Sequence, residues 1–435
     1  MKLFSCDDPE LFAKLGAELA ATARDLEVER AVSEIVGSVQ EQGDSALIAL
    51  TTRFDGVTLS PGDIRLSVDE LQSAAETLDP ENRCAIEESI SSVRQFHDNC
   101  RPRDWKVINS QGGQVGECHY PLRRVGIYVP GGRVPLVSTV IMTVTLAKAA
   151  GVDEIAVTTP PQSNGTVSPA LLAALSLCEI NEVYKVGGAQ AIAALAHGTP
   201  TIKAVDKIFG PGNAYVNEAK RQVFGIVGID LLPGPSEVMV IADETADPSC
   251  VAAALLAQAE HGSGKEKVFL VSENSSLIER SLQEIERQIE TLTHRDAIRG
   301  ILQSGLYCIR ARDEESIVKV ANFIAPEHLE LQVVDEKIDR LTSLITTAGA
   351  IFQGHLTPTV LGDFAAGPSH VLPTGRAARF SSGLRLSDFL RRSSIVRYDR
   401  NALRNAEAIV SSFSDMENLD AHGRSLSIRL EKPGD

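Results

Sequence analysis

From Val125 to Arg310 the chain alternates short β-rich runs with helical segments, and this alternation constrains the fold more than any other feature. VGIYV (125–129) leads to a helix ending before Gly151, then EIAVTT (154–159), a helix at 168–178 and EVYKV (182–186). A helix at 189–197, KIF (207–209), a helix at 213–223 and SEVMVIAD (236–243) follow. Next come a helix at 248–261, KVFLVS (267–272), a helix at 276–291 and LYCIR (306–310). Strands alternating with helices predict parallel sheets flanked by helices, an α/β architecture. The number of strands predicts two such sheets rather than one.

The flanks read differently. Segments 8–23, 29–40, 44–54, 67–78 and 80–99 carry apolar residues at helical spacing, and Asp79-Pro80 suits the start of the last. A polar hairpin turning at Gly112-Gly113 follows. The tail, 381–435, is Arg- and Ser-rich, then helical around 401–413, and closes on an alternating SLSIRL stretch. A chain of 435 residues exceeds one simple core, so more than one domain is expected. A net charge of −16 argues against a nucleic-acid or anionic-membrane partner. The longest uncharged apolar stretch, Val134 to Ala147, is too short to span a bilayer and is expected to be a buried helix. Two acids interrupt the N-terminal apolar stretch before a signal-peptide core forms, and the 7 scattered cysteines form no C-x-x-C pair. Both features predict a cytoplasmic protein with reduced thiols, so any metal site must use His, carboxylate or amide ligands.

Three glycine-rich turns follow predicted strands: YVPGG (128–132), VGGAQ (186–190) and FGPGN (209–213). Glycine lets backbone N–H groups approach a ligand, and the helix N-terminus beyond favours an anion. None is a full G-x-G-x-x-G, and GSGK (262–265) lacks the other residues of a phosphate-binding P-loop. The turns therefore allow a nucleotide without naming it, and each also suits an ordinary strand-to-helix connection.

The helix after Asp247-Pro248 ends in LLAQAEHG, where Gln258 and His261, three apart, share one face. Two ligand-type side chains at a helix end can hold a metal, although a solvated helix end has the same sequence. In FIAPEHLEL (323–331) the adjacent Glu327 and His328 follow a proline that biases the backbone out of helix. A carboxylate beside an imidazole offers a base and an acid–base group tunable near neutral pH. LGDFAAGPSHVLPTG (361–375) places Asp363 and His370 in a loop rich in Gly and Pro, with helix capping as the structural role for Asp363. Glu417 and His422, in MENLDAHG (416–423), read locally as solvated tail residues.

Taken in order, VGIYVPGG, KVGGAQAIAAL, DKIFGPGNAYV, DLLPGPSEVMVIAD, LLAQAEHG, APEHLEL, GDFAAGPSHVLPT and DAHG resemble the histidinol dehydrogenase family over roughly residues 120 to 430. The resemblance implies one zinc ion per subunit on Gln258, His261, Asp363 and His422, and Glu327 and His328 as the acid–base pair. It implies NAD contacts by Tyr128, Gln190 and Asn213. Substrate contacts would come from Ser236, His370 and Glu417 together with Gln258, His261, His328, Asp363 and His422. Leu232-Pro233 before GPSE and Ser369 before His370 depart from the usual family residues but remove no group the chemistry needs.

The resemblance further implies two incomplete Rossmann-like domains, one inserted in the other. These would be an N-terminal helical extension (1–25), a discontinuous main domain (26–129 plus 239–380), an inserted NAD-contacting domain (130–238) and a C-terminal extension (381–435). In the family the C-terminal extension completes the partner's site, so a homodimer with shared active sites is expected. The implied reaction is a two-step, four-electron oxidation of L-histidinol to L-histidine through L-histidinaldehyde with two NAD, the last step of histidine biosynthesis. A dehydrogenase of another polar alcohol (a sulfonated diol, for instance), a zinc hydrolase and a catalytically silent binding protein are the alternatives. The first fits Glu417 and His370 less well, the second the glycine turns, and the third the Glu327-His328 pair.

Overall fold

The computed structural model describes residues 1–19, 25–131, 136–261 and 264–432. Gly132 of the first glycine turn, the start of the 134–147 apolar stretch, residues 20–23 of the first predicted helix and Gly262-Ser263 lie outside the described residues.

A strand β1 (Lys2–Ser5) precedes five helices, Leu11–Leu19, Leu26–Gln42, Asp44–Asp55, Val68–Thr77 and Pro80–Asn99. Their starts are written in the sequence. Asp25 accepts from two first-turn N–H groups, Ser67 and Glu70 form a reciprocal capping box, and Asp79 caps a helix with Pro80 in its first turn. An antiparallel hairpin, β2 (Trp105–Ile108) and β3 (Gln114–Pro121), follows.

Five parallel strands then form one sheet: β4 (Arg124–Tyr128), β5 (Glu154–Thr158), β6 (Val183–Tyr184), β7 (Lys207–Phe209) and β8 (Gly228–Ile229). A second parallel sheet holds β9 (Glu237–Ala242), β10 (Lys267–Ser272), β11 (Leu306–Arg310), β12 (His328–Gln332) and β13 (Ala350–Gln353), with β1 on its edge. The spatial orders β6-β5-β4-β7-β8 and β11-β10-β9-β12-β13 are the same arrangement twice: the first strand of each set is central and the direction of winding reverses beside it. Both sheets are thus Rossmann-like and covered on both faces. Val238, Val240, Val268 and Leu270 pack with helices Pro248–Ala259 and Ser275–Ile289 on one side of the second sheet. Met239, Ile241, Phe269 and Leu329 pack with Leu11–Leu19 and Glu314–Ile324 on the other. The helix Val137–Ala150 is buried nearly all round, as its apolar sequence requires. No helix among the described residues is long and apolar enough to cross a membrane.

Two expectations are corrected at the ends of the chain. The N-terminal region is not wholly helical, because Lys2–Ser5 pairs in parallel with Leu306–Arg310, a partner some 300 residues away that local spacing cannot reveal. The closing SLSIRL stretch lies in a helix, Asp420–Glu431, instead of an extended segment. That helix folds back on Arg400–Glu417 through a left-handed turn at Asn418, and Arg400 donates to the carbonyls of Leu430 (2.6 Å) and Lys432 (2.7 Å). Capping of those terminal carbonyls favours the helix over the alternation of its side chains. A last strand, β14 (Leu390–Arg397), pairs with β3 and anchors this hairpin to the body.

The site is positioned by one short connection. β8 ends at the carboxyl edge of the first sheet, and residues 230–236 lead directly to β9 at the amino edge of the second. So few residues reach at most about 25 Å, so these two edges must lie close together.

Candidate active site

A cavity of about 800 Å³ opens where those edges meet. From the carboxyl side of the first sheet come Pro130, Leu136, Val137, Ser138 and the Pro211–Asn213 turn. From the amino side of the second come Ser236, Glu327 and His328, with His261, Asp363 and His370 completing the wall. The structure therefore brings together seven of the expected site residues: Asn213, Ser236, His261, Glu327, His328, Asp363 and His370.

A left-handed Ala325 ends the helix Glu314–Ile324, Pro326 follows it, and β12 begins at His328, so Glu327 and His328 occupy the mouth of a buried strand. Glu327 Oε2 accepts the Glu237 backbone N–H at 2.8 Å, and His328 Nδ1 lies 3.2 Å from the Glu237 carbonyl oxygen. One residue of β9 thus holds both side chains through its backbone. A carbonyl only accepts, so Nδ1 carries the proton and Nε2 is the basic nitrogen. Burial pushes His328 down to about 4, against the pull of the Asp363 charge, and the ring is neutral at physiological pH. Burial also raises Glu327 well above the carboxylate range, with the neighbouring Glu237 and Asp363 charges adding to it. A neutral imidazole and a high-affinity carboxylate are two bases suited to proton transfer.

Asp363 sits in a short helix, Val360–Phe364, whose start is fixed by a buried carboxylate that sequence reasoning passed over. Glu330 accepts from Thr359 N (3.1 Å), Thr359 Oγ1 (2.9 Å) and Gln332 Nε2 (2.6 Å). His328, Glu330 and Gln332 alternate with Leu329 and Leu331, so β12 turns a polar face towards Asp363 and an apolar face to the core. The alternation in HLELQ was the available signal. His370 Nδ1 stands 3.8 Å from Asp363 Oδ1, too far for a hydrogen bond, and burial lowers the His370 ring.

Other expected residues lie off the cavity wall. Gln258 is buried one turn before His261, with its amide nitrogen unpartnered. Tyr128 is buried at the end of β4, where its hydroxyl accepts from Gly188 N at 3.3 Å, and burial pushes that phenol up to about 12. Gln190 is buried in the helix Gly188–His197. Glu417 and His422 are exposed on the C-terminal hairpin and are not brought to the cavity of their own chain. Among the described residues no cluster of three or more His, Cys, Asp or Glu side chains forms a metal-binding group. Of the expected ligands only His261 and Asp363 meet that description on the cavity wall, Gln258 being an amide and His422 standing elsewhere.

Glu237 is a second buried carboxylate that carries no local sequence signal. It opens β9, its Oε2 accepts Gly375 N at 3.2 Å, and burial raises its carboxyl to about 7. A raised carboxyl favours folding while protonated, and that advantage is lost as pH rises from the unfolded value of 4.5 through 7. Glu237→Gln keeps an acceptor for Gly375 and cannot ionise. On metal-free protein it is expected to match the parent at pH 4.5 and to be more stable at pH 8.5, by up to about 3 kcal/mol. Urea unfolding at both pH values checks this, and equal stability at pH 8.5 would show that the carboxylate is solvated.

The comparisons with known proteins agree with one another. The family model described as histidinol dehydrogenase matches residues 19–430. The chain is 42% identical over 432 residues to the histidinol dehydrogenase of Syntrophotalea carbinolica, covering 99% of both chains. It is 42% identical over 436 residues to that of Nitrosospira multiformis, covering 99% of this chain and 98% of the other. The solved structure of histidinol dehydrogenase from Elizabethkingia anophelis superposes with a TM-score of 0.93 at 34% identity, covering 99% of this chain and 98% of that one. An acetylating aldehyde dehydrogenase from Geobacillus thermoglucosidasius, at 13% identity and a TM-score of 0.50 over 90% of this chain and 95% of that one, shares the fold alone.

Proposed function

The chain belongs to the histidinol dehydrogenase family and is an oxidoreductase of that type, and from that premise we propose that it oxidises L-histidinol to L-histidine with zinc and two NAD. One observation carries the reading: a neutral imidazole and a buried carboxylate, held on the backbone of Glu237, face a cavity shared with His261 and Asp363.

The residues suit both groups. Gln258, His261 and Asp363 offer amide oxygen, imidazole and carboxylate, a donor set zinc accepts, and the buried amide nitrogen of Gln258 has no hydrogen-bond partner to hold that side chain in another role. His422 of a second copy would supply the fourth donor. Leu136 and Gly187, which precede the helices Val137–Ala150 and Gly188–His197, make no side-chain cap, and beyond the Gly188 N–H taken by the Tyr128 hydroxyl these N-termini suit the nucleotide's phosphates, while Asn213 caps its own helix. Phe364, Leu361 and Val360 are exposed near Asp363, as are Ile409, Phe413 and Met416 on the tail helix, and these apolar surfaces suit a homodimer that shares its sites.

When bound, zinc would orient the substrate's nitrogen groups, and NAD would accept hydride. His328 Nε2 takes the alcohol proton in the first oxidation. Glu327 then removes a proton from water as it adds to the aldehyde carbon, the His328 imidazolium returns its proton to the aldehyde oxygen so that the hydrate forms, and the freed His328 accepts the hydrate's hydroxyl proton in the second oxidation. Both bases are held by β9, so neither has to move between steps. Ser236, His370 and Glu417 would fix the substrate's polar groups.

The test is stoichiometric. Zinc-loaded protein with L-histidinol and NAD is expected to form about two NADH per histidinol consumed, to stop with a chelator and to recover with zinc. One NADH per substrate, or NADH only from a different alcohol, would overturn the substrate assignment.

A further inference from the structure

We infer that Asn217 and Lys220 are positioning residues that lock the loop after β7 to the segment leading into the acid–base pair. The inference rests on the functional reading for what the loop binds, but the lock is read from the chain itself. Both residues lie on the helix Ala214–Val223, three apart and hence on one face. Lys220 is fully buried. Its ammonium donates to Gly210 O at 2.8 Å and Leu231 O at 3.0 Å, and pairs with the Asp230 carboxylate. Asp230 in turn accepts Gly210 N at 2.7 Å. Asn217 Nδ2 donates to Gly212 O at 3.2 Å and to Pro233 O at 2.5 Å.

Each side chain therefore bridges the same two segments, 209–213 and 230–236. Gly210 has φ +112°, and a Cβ there would lie 2.0 Å from Tyr128 O, so the first segment is pressed onto the end of β4. The second runs into Ser236 and Glu237, and the Glu237 backbone holds Glu327 and His328. Gly234 N donates to Thr374 Oγ1, and Gly375 N to Glu237, which extends the lock to the segment beyond His370. Hydrogen bonds, together with the short backbone run from Pro233 to Glu237, thus join the turn that would meet the nucleotide to the bases that would receive protons. Hydride donor and acceptor tolerate little misplacement, and fixing both walls through one helix face meets that demand.

Asn217 provides the discriminating variants, because loss of the Lys220 charge threatens folding itself. Its two partners are carbonyls, and its own Oδ1 is buried without a partner, so donation is its role. Asn217→Asp is isosteric and cannot donate; Asn217→Ala removes the bridge without adding repulsion. In hydrogen exchange on the full-length protein, both variants are expected to loosen segments 209–213 and 230–236 together while β10 and β11 stay protected. In steady-state kinetics the KM for NAD is expected to rise about tenfold and kcat to fall about tenfold, with the KM for histidinol within about twofold. A purely space-filling role would leave Asn217→Asp at wild-type constants, and a purely structural one would reduce stability and active fraction without splitting the two KM values. Either result, or loosening of one segment alone, overturns the inference. Should Asn217→Asp fail to fold, Asn217→Ala decides by the same readings. A wild-type chain inert towards histidinol and NAD would refute the functional reading, while the exchange comparison would still decide the lock.

Discussion

Replacing Glu327 with Gln is expected to cut histidine formation by about a thousandfold, within the range of general-base catalysis, while histidinol binds within about threefold of the parent. Gln keeps an oxygen for the Glu237 N–H, so the β9–β12 junction should survive. What it loses is the base for water. On the proposed assignment the first oxidation uses His328 and should continue, so the variant is expected to release one NADH per site and stall at the aldehyde. Single-turnover NADH formation from histidinol, set beside steady-state oxidation of added aldehyde, separates the steps. The pH dependence follows from burial: Glu327 holds its proton well above the ordinary carboxylate range, so parent aldehyde oxidation rises with pH as that proton leaves. His328, pushed down to about 4, is already unprotonated across the working range and adds no acid limb near neutrality. Full aldehyde oxidation by the variant would remove Glu327 from the role and leave His328 as the sole base.

The strands most legible in the sequence are those buried on both faces. Glu237–Ala242 and Lys267–Ser272 read as apolar runs of the right length, and they are β9 and β10. β12 does not read as a strand, because HLELQ is short and half polar, yet its polar half places His328 and Glu330. The pairing of Glu327 with His328 gave a chemical hint, but the backbone that holds them is 90 residues earlier in the chain, and no spacing rule reaches it. Lys220 and Asn217 look like the polar face of an amphipathic helix; their burial is decided by the 230–236 segment folding over them. Metal and substrate roles for Glu417 and His422 came from family resemblance alone, since neither local sequence nor the single chain brings them near the cavity.

That last point leads to the second large effect. If the tail of one copy completes the site of the other, then Glu327→Gln and His422→Ala, each nearly inactive alone, are expected to restore activity when their subunits are mixed. A mixed dimer has one site built from the body carrying Glu327→Gln and the tail carrying His422→Ala, which is dead twice over. Its other site joins an intact body to an intact tail and is wild type. Random exchange at equal amounts makes about half the dimers mixed, so about a quarter of all sites should recover. Two point variants that each lie within a self-contained chain would recover nothing, whatever the extent of mixing. The geometry favours recovery. His422 is exposed on a hairpin tied to the body by β14 and Arg400, its apolar neighbours Met416 and Leu419 are exposed with it, and the cavity wall presents Phe364 to solvent beside Asp363. Refolding or subunit exchange followed by an NADH assay reads the result directly, while zinc should stay at about half of all sites before and after mixing, because each intact tail brings one His422 to one site. Recovered activity together with full zinc in the His422→Ala dimer before mixing would keep the shared site and move His422 from the metal to the substrate.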